Sequence, residues 1–290
     1  MYVDMHMHQL DYSSDGHQTV SQIIQAAKAA GLMGFCITDH YDKEIAYRPD
    51  REEIFPLDRY FAALEPLRRS SRVDQPQLLI GIELGYQPHL ASHYAGLTSR
   101  WPFDAVLLSL HLLDGQDPFD DRTIYAEGRC SLYRRYITRL TEMIEGCPDH
   151  DIITHFDYIS RYAPYPDRAM TYAELSDCWD DFCRMLVRHD KCLEINVATI
   201  AALSDKEKPD RDAFPDQELI KAWLRLGGRR ICLGSDAHRP EHIARLFPEL
   251  AAWLSGLGVA ELTWYERRQP RTIRLEQAPA GQTVTDSSEI

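Results

Sequence analysis

Asp4-Met5-His6-Met7-His8 opens the chain as a short strand that ends in two imidazoles. Side chains alternate across a strand, so period two puts Asp4, His6 and His8 on one face. An HxH pair can grip one cation with two rings, and Asp4 is then a carboxylate placed to orient an imidazole. Alone the spacing carries little information, because HxH also arises by chance. Its weight comes from what the rest of the chain repeats. Further apolar runs end in Thr38-Asp39-His40, Gly81-Ile82-Glu83, Ser109-Leu110-His111, Thr154-His155-Phe156-Asp157, Glu194-Ile195-Asn196 and Gly234-Ser235-Asp236-Ala237-His238. Each passes from apolar residues straight into His, Asp, Glu or Asn.

Those runs read as strands near 2–6, 34–38, 78–84, 104–110, 151–155, 191–196 and 230–235, with a weaker eighth at 258–264. Leu79-Ile80-Gly81-Ile82 and Ala105-Val106-Leu107-Leu108 are near-continuously apolar, as in parallel sheets covered on both faces. Helical periodicity fills the gaps. Val20, Ile23, Ile24 and Ala27 form one stripe in 19–30. Similar stripes predict helices over 129–146, 173–188, 216–226 and 240–255, the last kinked or split by Pro248. Long irregular segments are expected at 41–57, 85–103, 112–128, 161–172 and 197–214, all of them after strands. A strand–helix rhythm without a break means α/β, and seven or eight units favour a closed barrel. We expect one barrel domain over 1–276 and a loose polar tail over 277–290.

Composition agrees with this. The chain has 290 residues, 44% of them apolar, enough for a full core, and a single α/β barrel runs to roughly 250 residues. Disorder and an 18-residue membrane span are both excluded. The start, Met1-Tyr2-Val3-Asp4, has no signal-peptide character, so a cytoplasmic location is expected. A net charge of −13 argues against a general nucleic-acid binder. The seven cysteines contain no CxxC pair and read as reduced thiols. Oligomeric state is not legible.

In a parallel barrel the strand tips meet on one face. Seven of the twelve histidines fall at or just after these tips: His6, His8, His17, His40, His111, His155 and His238. With the carboxylates beside them they form a mixed N/O donor set, which suits Zn, Mn or Fe rather than Ca.

These motifs resemble the PHP (polymerase and histidinol phosphatase) family, and within it the histidinol-phosphatase branch. The carriers are His6-Met7-His8, Ser14-Asp15-Gly16, Thr38-Asp39-His40, Glu83, Ser109 to Gly115, His155-Phe156-Asp157, Leu193 to Asn196 and Leu233 to Pro240. The resemblance implies a distorted seven-stranded (β/α) TIM-like barrel holding three divalent metal ions. His6, His8, Glu83 and Asp236 would hold one ion. Glu83 would bridge to a second, completed by His111 and His155. His40 and His238 would hold a third with Asp15, for which His17 is the competing candidate.

The implied activity is a metal-dependent phosphomonoesterase, most specifically one acting on L-histidinol phosphate. Carboxylate-bridged ions about 3.5–4 Å apart suit in-line attack on phosphorus by a metal-activated hydroxide, here near Glu83, His111 and Asp236. Arg161 occupies the place of a basic residue that the branch uses to bind phosphate, and Arg239 is a second candidate. The Arg that usually follows the Glu-Ile-Asn motif is absent after Asn196, which leaves Lys206, Lys208 and Arg211 to reach in. Another phosphomonoester or nucleotide as substrate is one alternative, and a non-catalytic metal-binding module is another.

Overall fold

The computed structural model describes residues 1–45, 53–70, 75–204 and 211–275. Seven parallel strands lie in the order β1 (Val3–Asp4), β2 (Gly34–Ile37), β4 (Gln77–Gly85), β5 (Ala105–Ser109), β6 (Ile152–Ile153), β7 (Cys192–Asn196) and β8 (Ile231–Gly234). The two-residue β3 (His40–Tyr41) follows β2 and pairs with β4 one turn of pleat higher. β1 returns to β8 through backbone bonds from Met5 N–H to the Leu233 carbonyl at 3.1 Å and from His8 N–H to the Ala237 carbonyl at 3.0 Å. The ring is thus nearly closed, as the unbroken strand–helix rhythm requires.

Parallel neighbours need a long crossover, and helices supply most of them. They are α1 (Val20–Ala29), α2 (Leu57–Ser70), α3 (Ala91–Arg100), α4 (Arg129–Gly146), α5 (Tyr158–Arg161), α6 (Tyr172–Arg188), α7 (Val197–Leu203), α8 (Gln217–Arg225) and α9 (Phe247–Gly256). Helix α1 begins in a reciprocal capping box between Thr19 and Gln22. Two segments expected to be irregular hold helices. In α3, Tyr94, Leu97 and Thr98 are buried, so packing overrides a weakly helical sequence. Helix α7 forms because the Asn196 side chain accepts the Thr199 N–H at its first turn. The helix expected over 240–255 is in fact a 3₁₀ turn (Pro240–His242) followed by α9. Pro248 lies in the first turn of α9, where its missing N–H costs nothing.

Along the strands that face inward, chemistry changes with height. β4 presents Leu79, then Gly81, then Glu83. β5 presents Ala105, Leu107 and Ser109, and β7 presents Cys192, Glu194 and Asn196. The lower members of these series belong to one buried apolar cluster with Val3, Met5, Ile152 and Cys232. The upper members are polar and equally buried. The barrel is therefore apolar below and ionisable above.

The weak eighth strand is not a barrel strand. β9 (Glu261–Glu266) and β10 (Gln269–Arg274) form a separate antiparallel hairpin. Tyr265 joins the inner apolar cluster, and Trp264 and Ile273 pack on it, so the hairpin closes the bottom of the barrel. Its turn residues, Arg267 and Arg268, both have left-handed φ, at 51° and 62°. Charge compensates this strain. The Arg268 guanidinium pairs with Asp151 and, at 3.0 Å, with Asp149, while the Arg267 N–H donates to Asp104 at 2.9 Å. We predict that Arg268→Ala costs about 2 kcal/mol, because it leaves the buried Asp151 short of a charged donor. Chemical denaturation checks this; an unchanged midpoint would contradict it.

Candidate metal centre

Glu83 stands at the centre of the upper barrel and is fully buried. Its Oε2 lies 3.3 Å from His6 Nε2, 3.6 Å from His8 Nε2 and 2.7 Å from His40 Nδ1. Its Oε1 lies 3.2 Å from His111 Nε2 and 2.9 Å from His155 Nε2. Asp236 Oδ1 completes the first group, 3.7 Å from His6 Nε2 and 3.3 Å from His8 Nε2. A third group stands on the open side. Asp15 lies 3.7 Å from His40 Nε2 and 3.2 Å from His238 Nε2. The structure thus brings nine expected residues together, drawn from six separate strand ends and the loop at Asp15.

Most of the rings are fixed by a hydrogen bond on the far nitrogen. His6 Nδ1 meets Glu194 at 2.7 Å, and His111 Nδ1 meets Asp42 at 3.0 Å. His238 Nδ1 meets the Asp236 carbonyl at 2.9 Å. His8 Nδ1 meets the Ser13 hydroxyl at 3.3 Å, and that hydroxyl donates to Asp39 at 2.9 Å. Each contact assigns the proton to Nδ1 and leaves the Nε2 lone pair facing the cluster. Two glycines make room for these acceptors. A Cβ on Gly234 would meet Glu194 Oε1 at 1.9 Å, and one on Gly85 would meet Asp42 Oδ1 at 1.5 Å. Asp236 itself has a left-handed φ of 53°, a strained backbone of the kind found at functional sites.

The residues present fit divalent cations. Among the described residues, His6 Nε2, His8 Nε2, His40 Nδ1 and Glu83 Oε2 are buried without a hydrogen-bond partner. Buried polar atoms rarely go unsatisfied, so a row of them converging on one point marks a ligand position. Among the described residues, four overlapping groups of donors lie close enough to share an ion: His6 with His8 and Glu83; His6 with His155 and Asp236; His40 with Glu83 and His111; and His8 with His40 and His238. The donors are nitrogen and carboxylate oxygen, a set suited to Zn, Mn or Fe.

Electrostatics point the same way. Burial works against protonating His6, but the carboxylates of Glu194, Glu83 and Asp236 lift its pKa well above the usual value. Burial likewise opposes charge on His111, and Asp42 and Glu83 raise it to about 10. Burial, then repulsion from His40 and His238, drives His8 well below normal. Burial disfavours the Glu83 carboxylate, yet His6, His40 and His111 hold its pKa well down. Without cations, protons on the imidazoles balance the buried carboxylates.

Several expected residues fall elsewhere. β1 ends at Asp4 and pairing resumes at the Met7–Ala237 bridge; Val3 and Met5 both join the inner apolar cluster, so the alternation slips before His6 and leaves Asp4 off the face of His6 and His8. Asp4 accepts the backbone N–H groups of Ser235 at 2.9 Å and His6 at 3.3 Å, and it is Glu194 that orients the His6 ring. His17 is exposed and reaches the group only through its backbone N–H, which donates to the His238 carbonyl at 2.8 Å. Arg161 lines the cleft over the cluster. It donates to Asp236 at 2.9 Å, Asn196 at 2.9 Å and Thr199 at 2.7 Å. Arg239 is exposed and does not line this cleft. Arg211 faces a different cavity beside Phe156 and Trp253. Lys206 and Lys208 lie outside the described residues. Sequence reasoning gave no role to Asp42 or Glu194. Asp42 follows His40 by two residues and Glu194 closes an apolar run, but nothing local says which ring each one holds.

A barrel whose strand tips converge on six histidines and three carboxylates defines a multinuclear metal-binding α/β barrel. The chain belongs to the PHP domain family, whose model matches residues 4–198. The "Probable histidinol-phosphatase" of Clostridium acetobutylicum is 30% identical over 248 residues, covering 85% of this chain and 90% of that protein. The histidinol-phosphatase of Lactococcus lactis is 27% identical over 81% of this chain and 84% of that protein. The crystal structure of the Lactococcus lactis histidinol phosphate phosphatase, complexed with zinc, L-histidinol and phosphate, has the same fold. It matches with a TM-score of 0.82 at 24% identity, over 93% of this chain and 98% of that one.

Metal binding should release protons, since cations take the place of the protons on His6, His40, His111 and His238. Apparent affinity for Zn²⁺ then rises with pH. Titration calorimetry in buffers of different ionisation enthalpy measures the release; zero proton release across neutral pH would contradict the assignment.

Proposed function

We propose that the chain is a metal-dependent phosphomonoesterase that hydrolyses L-histidinol phosphate to L-histidinol and phosphate. The observation that carries the reading is Glu83, whose Oε2 faces His6, His8 and His40 while its Oε1 faces His111 and His155, beneath a cleft of ≈ 570 Å³. His6, His8, Glu83 and Asp236 are the proposed ligands of one ion. Glu83, His111 and His155 are those of a second, and Asp15, His40 and His238 those of a third. When bound, such ions stabilise phosphoryl oxygens as Lewis acids and lower the pKa of water toward neutrality. The names and the bound zinc of the relatives support this reading.

The chain's own residues then have defined tasks. Glu194, Asp42 and Ser13 hold three rings so that their Nε2 atoms stay aimed inward. Arg161 is the guanidinium of the cleft, and its planar fork suits phosphate oxygens. It also neutralises Asp236 from the side away from His6 and His8, through Oδ2. The solvent side of the cluster is the Asp15–His238 edge, where His238 is 24% exposed while His6 and His8 are fully buried. A phosphate entering the cleft meets that edge first.

A second reading keeps the chemistry and changes the alcohol. It draws on the stretch from Asn196 to Ala202, which lines the cleft through Ala198 and holds no basic residue where the branch usually supplies an Arg some residues after the Glu-Ile-Asn motif. Among the described residues, Arg161 is therefore the guanidinium left to grip phosphate. The seven cysteines are all unpaired, five of them deep in the fold at Cys36, Cys147, Cys183, Cys192 and Cys232, which supports a reducing compartment such as the cytoplasm.

Phosphate release should stop after chelation and return on adding Zn²⁺ or Mn²⁺, with L-histidinol phosphate preferred over phenyl phosphate. Equal rates on both esters would favour the second reading. No hydrolysis at full metal occupancy would leave a metal-binding module. His111→Ala or Glu83→Gln should cost several orders of magnitude in rate while the circular dichroism spectrum is kept; retained activity in either would break the ligand assignment.

A further inference from the structure

The cleft is walled on one side by the metal cluster and on the other by the segment after β5. That segment turns back on itself at Asp114-Gly115, where both residues have positive φ and Leu113 pairs with Gln116. A second turn follows, closed by the Asp121 N–H on the Asp117 carbonyl at 2.8 Å. The two turns place Asp117 and Phe119 on the cleft wall. Phe119 is 45% exposed and meets Tyr162 edge to face at 5.3 Å. Tyr158 bridges the two walls. Its ring lies 5.5 Å from His111 and 5.2 Å from His155, and its hydroxyl lies 3.5 Å from Asp117. Asp117 is thus one tyrosine away from the cluster.

The carboxylates of this cleft differ in what they face. Asp15 faces His40 and His238, and Asp236 faces His6, His8 and Arg161. Asp42 faces His111, and Glu53 accepts Ser14 through both its backbone and its hydroxyl. Among the described residues, Asp117 accepts only from neutral groups, the Phe119 N–H at 2.8 Å and the Tyr158 hydroxyl. Among the described residues no cationic donor hydrogen-bonds this half-buried carboxylate; burial raises its pKa, and His111, on the far side of Tyr158, offsets that only in part. A carboxylate in this setting gains more from a charged donor than from another neutral one.

Resting on the phosphomonoesterase reading, we propose that Asp117 receives a protonated nitrogen on the substrate's alcohol, so that the cleft selects phosphate esters of amino or imidazolyl alcohols over uncharged ones. The phosphate lies at the cluster and Arg161. The alcohol runs along Tyr158, and its cationic end meets Asp117 beside the exposed Phe119 ring, the Tyr162 ring already carrying Arg122 at 5.0 Å. Asp117 is a specificity-determining residue here and takes no part in bond breaking.

The test compares the metal-loaded wild type with Asp117→Asn and Asp117→Glu on L-histidinol phosphate and on phenyl phosphate, which lacks a cation. The inference requires kcat/KM for L-histidinol phosphate to fall at least about tenfold in Asp117→Asn. The change should lie mostly in KM and be largely restored in Asp117→Glu, with phenyl phosphate within about twofold of the wild type. An equal fall on both esters, or no fall on either, overturns the inference and leaves the phosphomonoesterase reading standing. A wild-type enzyme that cleaves neither ester overturns that reading, and the inference with it.

Discussion

A single buried carboxylate constrains the whole upper half of this barrel. Glu83 is fully enclosed and has five imidazoles within hydrogen-bonding or ion-pairing distance. A lone charge at such depth is prohibitively costly, so the carboxylate must be matched by positive charge at each oxygen. Protons on the imidazoles do this in part, and divalent cations do it more completely. The surrounding histidines cannot all be protonated at once, because His8 stacks between His40 and His238 at 4.1 and 4.3 Å. That conflict is what makes the cluster a receptor for metal rather than a salt-bridge network.

The barrel supplies the geometry by a simple rule. Parallel strands start in an apolar floor and finish in polar tips, so ligands far apart in sequence arrive at one height. The floor is sealed by the β9–β10 hairpin, which keeps water from the lower core and anchors itself on Asp104, Asp149 and Asp151. The tips are then held by a layer of acceptors, with Glu194 under His6 and Asp42 behind His111. Gly234 and Gly85 exist in that layer as space, since any side chain there would displace the acceptor.

Much of this was legible in the sequence, for a physical reason. Strand periodicity and an abrupt change from apolar to ionisable residues are local signals, and barrel topology turns seven such signals into one site. Asp15 could be preferred over His17 from its Ser-Asp-Gly setting, and the structure turns Asp15 toward His40 and His238. What was not legible is non-local. Which acceptor orients His6 depends on Glu194, 188 residues away. Asp4 reads as a partner for an imidazole only if strand alternation runs unbroken from Asp4 to His8, and it slips between Asp4 and the Met7–Ala237 bridge. The eighth strand was misplaced because a hairpin that plugs a barrel and a strand that belongs to it bury apolar residues alike. Helices α3 and α7 were missed because packing and one asparagine cap, rather than propensity, form them.

The central claim is that Glu83 lies between two ions of a three-ion centre. A crystal structure of the metal-loaded protein, with anomalous scattering data at the metal edge, tests it most directly. The account predicts three peaks per chain, two of them flanking the Glu83 carboxylate and the third between Asp15, His40 and His238. A single peak, or peaks away from Glu83, would contradict it.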